Sequence, residues 1–239
     1  MKASLALEEL KGYGNKSRVS DLARFYKTGP GEYAEGDVFL GGTVPQTRMV
    51  AKNYKDLELV EVQKLFNSPF HEARLCAAII LNLQFKAAKS SPARKKIFEF
   101  YLKQVRAERI NNWDIVDVSA PWMGVYLLEV EDPMPLLIKF SKSKSLWQRR
   151  VSIILTFALI RAGDLAPTII ISEALLKDDE DLIHKAVGWM LRELGKKDVM
   201  LLRGFLKQHS HEMPRTMLRY SIERLPESER KRWLTESKG

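Results

Sequence analysis

The 239-residue sequence predicts an all-α fold of stacked helical hairpins, and three observations carry that expectation. Nearly every segment after residue 60 spaces its apolar residues by three and four, while strict alternation over a strand length is hard to find. Short turn signals at Ser68-Pro69, Lys89 to Pro92, Asp132-Pro133 and Asp178 to Glu180 cut those segments into pairs. Similar stretches then recur as the second member of successive pairs.

The first helices are expected over Leu5 to Lys11 and Val19 to Tyr26, the latter ended by the turn chemistry of Thr28, Gly29, Pro30 and Gly31. A loop follows through Tyr33 to Gly42. Thr43 then caps a helix with Pro45 in its first turn, where a missing N–H costs nothing, and this helix runs to about Tyr54. Pairs come next: Leu59 to Phe66 with His71 to Phe85, Pro92 to Arg109 with the helix opening at Trp113, and Pro135 to Ser141 with Leu146 to Ala162. Ala166 to Leu176 pairs with Leu182 to Gly195, and Val199 to Gln208 with Arg215 to Leu225.

Overlaying the second helices, HEARLCAAIILNL, WQRRVSIILTFAL, IHKAVGWMLREL and PRTMLRYSIERL, puts Arg74, Arg150, Lys185 and Arg215 just ahead of an apolar ridge. The recurrence at roughly 30 to 40 residues suits a HEAT-like helical-repeat solenoid, a curved α-α superhelix with a concave binding surface. Residues 1–239 read as one such domain.

Hydrophobic content of 45% and charged content of 29% belong to a folded protein, so disorder is expected only at the ends. A net charge of +9 with a pI near 9.5 favours a negatively charged partner, nucleic acid above all. Solvated surface lysines are the plain alternative. Cys76, the one cysteine, sits in the apolar run LCAAIILNL, which excludes an internal disulfide and fits a reducing compartment. The N-terminus lacks the apolar core of a signal peptide, and Val151 to Ile160 falls short of the roughly 20 residues that span a bilayer. A soluble cytoplasmic protein without membrane contact is expected, nucleoid-associated when bound to DNA.

Candidate chemistry centres on NNWDIVDVSAPWMGVYLLE, Asn111 to Glu129. Four residues apart on a helix, Trp113 and Asp117 share a face, an indole beside a carboxylate. That carboxylate is either satisfied by a basic neighbour or kept for chemistry on a cation. Basic residues in first helical turns oppose the macrodipole, and two readings account for them: salt bridges to neighbouring repeats, or a track for phosphates. Trp113, Trp122, Trp147 and Trp189 interleave with that track, either as core or as contacts.

Other chemistries find little support. His209 and His211 lack a clustered set of acids or cysteines for zinc, and Gly41-Gly42 is too short for a phosphate-cradling loop. No nucleophile elbow is present. One carboxylate suffices when the leaving group is already cationic, as in an N3- or N7-alkylated purine. Asp117 would stabilise the oxocarbenium-like sugar and position water, indoles would flank it, and Arg150 would anchor the adjacent phosphate.

NNWDIVD, WQRR, KAVGWMLRE and the Thr28 to Arg48 segment TGPGEYAEGDVFLGGTVPQTR carry a resemblance to the AlkD-like DNA alkylation-repair glycosylases, a family of HEAT-like solenoids. The resemblance spans nearly the whole chain. It implies that Asp117 is the catalytic aspartate, Trp113 and Trp189 the lesion-flanking tryptophans, and Arg150 the phosphate-contacting arginine, with Arg149 next door. Tyr33 matches a family tyrosine near the DNA; apart from the resemblance, Arg150, Lys185 and Arg215 would form one basic track for DNA if second helices line the concave face. The leading expectation is a glycosylase of base excision repair on alkylated duplex DNA, with no cofactor and no metal; it is monofunctional, since the Trp113 helix offers no lysine placed like a Schiff-base nucleophile, and a monomer, since a solenoid that wraps duplex could work alone. Excision without base flipping would follow, with tolerance of bulky adducts. The family also has members that bind DNA without excision, so a non-catalytic protein for damaged or branched DNA is the alternative. A protein-binding HEAT scaffold is a third.

Overall fold

The structure, a computed structural model, describes residues 1–236. Among them are fourteen α-helices, one 3-10 segment and no strand beyond an isolated bridge between Val38 and Phe70. The chain forms two compact units, Met1–Ser119 and Ala120–Gly239.

The first unit holds α1 (Ala3–Gly12), α2 (Lys16–Phe25), α3 (Val44–Asn53), α4 (Leu59–Phe66), α5 (His71–Ala87), α6 (Ser91–Arg106) and the start of α7 (Trp113–Met123). Thr43 caps α3 as the sequence predicts, in a full capping box with Gln46 and with Pro45 in the first turn. Helix α5 is the centre of this unit: His71 through Asn82 is buried without a break, packed by α1, α3, α4 and α6. Cys76 lies in that run with no exposure, and burial pushes its thiol up to about 12. Gln63 of α4 and Gln104 of α6 exchange amide hydrogen bonds at 2.9 and 2.7 Å, which satisfies a fully buried Gln104.

Between α2 and α3 the chain is pinned to the start of α5. The His71 N–H donates to the Val38 carbonyl at 2.8 Å, and both Glu72 carboxylate oxygens accept, from Leu40 and Gly41 N–H at 2.9 Å. Gly41 has φ +90°, and a Cβ there would stand 2.1 Å from the Asn15 carbonyl oxygen, so this glycine serves backbone packing.

The second unit continues from α7 into a 3-10 segment, Gly124–Glu129, then α8 (Met134–Ser141), α9 (Leu146–Ala162), α10 (Ala166–Ala174), α11 (Asp181–Lys197), α12 (Val199–His209), α13 (Arg215–Ser221) and α14 (Glu227–Glu236). Helix α9 occupies the place that α5 has in the first unit, buried almost all round by α8, α10, α11 and the 3-10 segment. Both α12 and α13 pack on α11. The last pair is thus held together through a third helix. Helix α14 carries no apolar periodicity beyond Trp233 and Leu234, which is why the sequence reading stops short of it.

Gly188 is the contact point of α11 with α13. A Cβ there would lie 2.5 Å from Tyr220 Cβ and 2.6 Å from the Met217 carbonyl oxygen. Backbone cannot yield as a side chain does, so Gly188→Ala is expected to destabilise the second unit by about 2–3 kcal/mol, in the upper range for overpacking. Urea unfolding followed by circular dichroism checks this. No helix among the described residues is long and apolar enough to cross a membrane.

Candidate functional site

Helices α3, α5 and α7 enclose a cleft of about 240 Å³ in the first unit. Val44, Leu75 and Val118 make its apolar wall, while Trp113, Asp114, Asp117 and Arg48 supply the polar and aromatic groups. Trp113 and Asp117, predicted to share a helix face, therefore line one cleft. Both are half-buried. Pro121 inside α7 has no N–H to offer the Asp117 carbonyl, so the helix loses its regular bond at that residue.

The start of α7 is held by a buried polar network. His71 places Nδ1 3.0 Å from Asp37 Oδ2 and Nε2 2.9 Å from Asp114 Oδ2. Carboxylates only accept, so each ring nitrogen donates and the ring is an imidazolium. Burial by itself would lower the His71 pKa, but Asp114 and Asp37 raise it to about 9. Burial would likewise raise the Asp37 carboxyl, and the hydrogen bond from His71 with the charge of Arg74 brings it below its ordinary value. Arg74 donates to Asp37 from Nη2, to Asn111 from Nε at 3.1 Å, and to the Ser68 and Pro69 carbonyls at 3.2 and 3.0 Å.

Tyr26, the residue that caps the end of α2, closes the network. Its hydroxyl donates to Asp114 Oδ2 at 3.0 Å, and its ring stacks on Trp113 with centroids 5.5 Å apart and 19° between planes. Burial and Asp114 push the Tyr26 hydroxyl far above its ordinary value, so it remains a donor. Phe39 stacks on the far side of Tyr26 at 5.1 Å. Phe25, 63% exposed, meets Trp113 edge-on at 6.0 Å. Both aspartates on this helix face line the cleft, and Asp114 also accepts from His71 and Tyr26.

The sign of the His71 shift sets a pH dependence. A folded value near 9 against an ordinary 6.5 gives stability that is whole below about pH 6.5 and is lost as pH rises through 9. The melting temperature of the wild type is expected to fall across that window, and that of His71→Gln to change less. Calorimetry at a series of pH values checks it.

The other predicted residues sit as follows. Tyr33 is half-buried and packs against the Tyr26, Ala34 and Phe39 cluster. In the second unit Trp189 is half-buried against Phe157, with centroids 6.0 Å apart. Arg149 grips Asp178 through Nε at 2.6 Å and Nη2 at 3.3 Å, and donates to the Ser143 and Lys144 carbonyls. Arg150 is buried and donates to the Leu182 carbonyl. Lys185 pairs with Asp181 at 2.7 Å, and exposed Arg215 donates to the Leu234 carbonyl at 2.7 Å. Arg192 bridges Glu193 and Glu223.

The repeat register differs from the overlay by one residue. Arg74, Arg149 and His184 are each the fourth residue of a 17-residue helix, and each ring or guanidinium bonds a carbonyl six residues back: Ser68, Ser143 and Asp178. Arg149 is therefore the counterpart of Arg74. Aligning apolar ridges tolerates a one-residue offset, whereas a hydrogen bond to the preceding turn does not. Arg48, Asp37, His71 and Tyr26 were not singled out as site residues. Asp37 and Arg48 lie inside the TGPGEYAEGDVFLGGTVPQTR segment, and that was the available signal.

Fold and site together define a HEAT-like helical-repeat protein with a carboxylate–indole cleft. The chain belongs to the DNA alkylation repair enzyme family, whose model matches residues 6–225. A solved structure described as a predicted DNA alkylation repair enzyme from Enterococcus faecalis is similar at TM-score 0.70 and 16% identity, over 90% of this chain and 97% of that one. A second, at TM-score 0.56 and 14% identity, covers 89% of this chain and 83% of its own; it is described as one of a new family of proteins related to the HEAT-like repeat DNA glycosylases, with affinity for branched DNA structures. No curated protein matches. Family membership supports a role in DNA repair with DNA as the partner.

Proposed function

We propose that this protein is a monofunctional DNA glycosylase that hydrolyses the N-glycosidic bond of cationic N3- or N7-alkylated purines in duplex DNA. The observation that carries the reading is the cleft in which the Asp117 carboxylate and the Trp113 indole share a wall. The C1′–N bond breaks with both electrons leaving on the base, which departs as a neutral alkylpurine. Asp117 stabilises the oxocarbenium-like sugar electrostatically, and water adds to C1′, its proton passing to the carboxylate. Trp113 offers an electron-rich face to the cationic base or sugar. Arg48, exposed at the mouth, takes a flanking phosphate.

In the second unit, Trp189, Lys185 and Arg215 are the proposed further contacts to the duplex. Arg149 and Arg150 bond protein carbonyls and, for Arg149, Asp178, so their phosphate contact rests on the family resemblance. The proposed enzyme works as a monomer in the cytoplasm, without metal or nucleotide cofactor.

The test is release of free 7-methylguanine and 3-methyladenine from methylated duplex by the wild type. The affinity for branched DNA of one structural neighbour motivates a second reading, a binding protein without excision. A folded protein that binds a four-way junction more tightly than duplex and releases no base establishes that second reading instead.

A further inference from the structure

We propose that His71 is a positioning residue: held between Asp37 and Asp114, it fixes the first turn of α7 and so sets where Trp113 and Asp117 stand in the cleft. The proposal rests on the glycosylase reading of that cleft. His71 does not line the cleft, and only 2% of its side chain is exposed, so it touches neither substrate nor solvent.

Its two partners come from different parts of the first unit, Asp37 from the segment before α3 and Asp114 from α7. One ring thereby ties three chain segments in a fixed order. Around it stand Asp37, Asp114, Arg74 on its own helix, the Tyr26 hydroxyl, and Glu72, whose carboxylate is taken by Leu40 and Gly41 N–H. Asn112 adds a bond from Nδ2 to Asp37 at 3.2 Å, beside the Asn111 bond from Arg74.

A buried ionic cluster is an expensive way to fill space, since apolar residues of the same volume serve stability as well or better. What the cluster provides is geometry. Asp114 directly follows Trp113 and precedes Asp117 by three residues, so a turn locked at Asp114 locks both. Tyr26 reinforces this by bonding Asp114 and stacking on Trp113 with one ring. Positioning at the level of an ångström is worth about 10²-fold in rate.

The experiment compares wild type, His71→Gln and Tyr26→Phe in single-turnover release of 7-methylguanine, in duplex binding, and in the Trp113 indole N–H resonance. His71→Gln is expected to slow release at least about 10-fold with duplex affinity unchanged within about 3-fold and a shifted Trp113 signal. Unchanged release, or release and binding falling together, overturns the proposal. Should His71→Gln fail to fold, Tyr26→Phe decides: it removes one donor to Asp114 and keeps the stacked ring, and it is expected to slow release by about 3- to 10-fold. Wild-type release is the separate check on the glycosylase reading. If the wild type releases nothing, nitrogen-15 spectra of His71 and the Trp113 resonance decide the clamp alone. One ring N–H instead of two at pH 7, or a Trp113 signal unmoved in Tyr26→Phe, overturns it.

Discussion

Asp117→Asn is expected to lower the rate of alkylpurine release by about 10²- to 10³-fold, the usual cost of removing one preorganised electrostatic group from a reaction that develops charge. The substitution keeps shape, removes the negative charge and turns one acceptor oxygen into an NH2 donor. Duplex affinity should change less than about 3-fold, because phosphate contacts rather than this carboxylate dominate binding. Converted at about 1.4 kcal/mol per tenfold, the effect is about 3–4 kcal/mol of transition-state stabilisation. The same change at Asp114 makes the contrast. Asp114 accepts from His71 and Tyr26, so Asp114→Asn acts on the position of α7 and on stability, and loses less of the charge presented to the cleft. Single-turnover release by both variants, with binding measured in parallel, separates the roles. Equal rates for Asp117→Asn and wild type would remove Asp117 from the mechanism.

Arg74→Ala is expected to destabilise the protein by about 3–5 kcal/mol, the range for deleting one partner of a buried ion pair. The Arg74 side chain is 6% exposed and Asp37 4%, so little water is available to take the place of the guanidinium. Its loss strands part of the Asp37 charge, the Asn111 side-chain oxygen and the Ser68 and Pro69 carbonyls together. Arg149→Ala removes an equivalent set of bonds in the second unit, but that side chain is 17% exposed, so a smaller loss is expected. Denaturant titration of both variants tests the ranking. Rates of base release should be lowered in Arg74→Ala as well, since Asp37 orients His71.

Much of the fold was legible because helices announce themselves locally. The limits of α4 and α9 agree with the sequence reading, as do the Thr43 cap and Pro45. Expected and observed limits differ by a few residues at α6 and α13, where helix ends depend on which carbonyls find partners. Trp113 and Asp117 were legible for the same local reason, a four-residue spacing on one helix. The basic helix starts are different. Sequence allowed either salt bridges or a phosphate track, and the structure gives Arg74 and Lys185 protein acids as partners, as it does Arg149, the neighbour of Arg150.

By itself, then, the sequence determined the helices up to α13, their order, the recurrence of the pairs to within one residue, and the indole and carboxylate of α7, because each depends on residues within a turn or two of one another. Only the tertiary structure decided that Asp114 is tied to His71 and Tyr26, that the Trp113 and Asp117 face lines a cleft with α3 and α5, and that Asp37 and His71 hold the start of α7. The bonds that hold Asp114 and His71 join residues 34 to 88 positions apart in a dry interior. There an unpaired charge is too costly to leave, and which acid meets which base is settled by packing rather than by spacing along the chain.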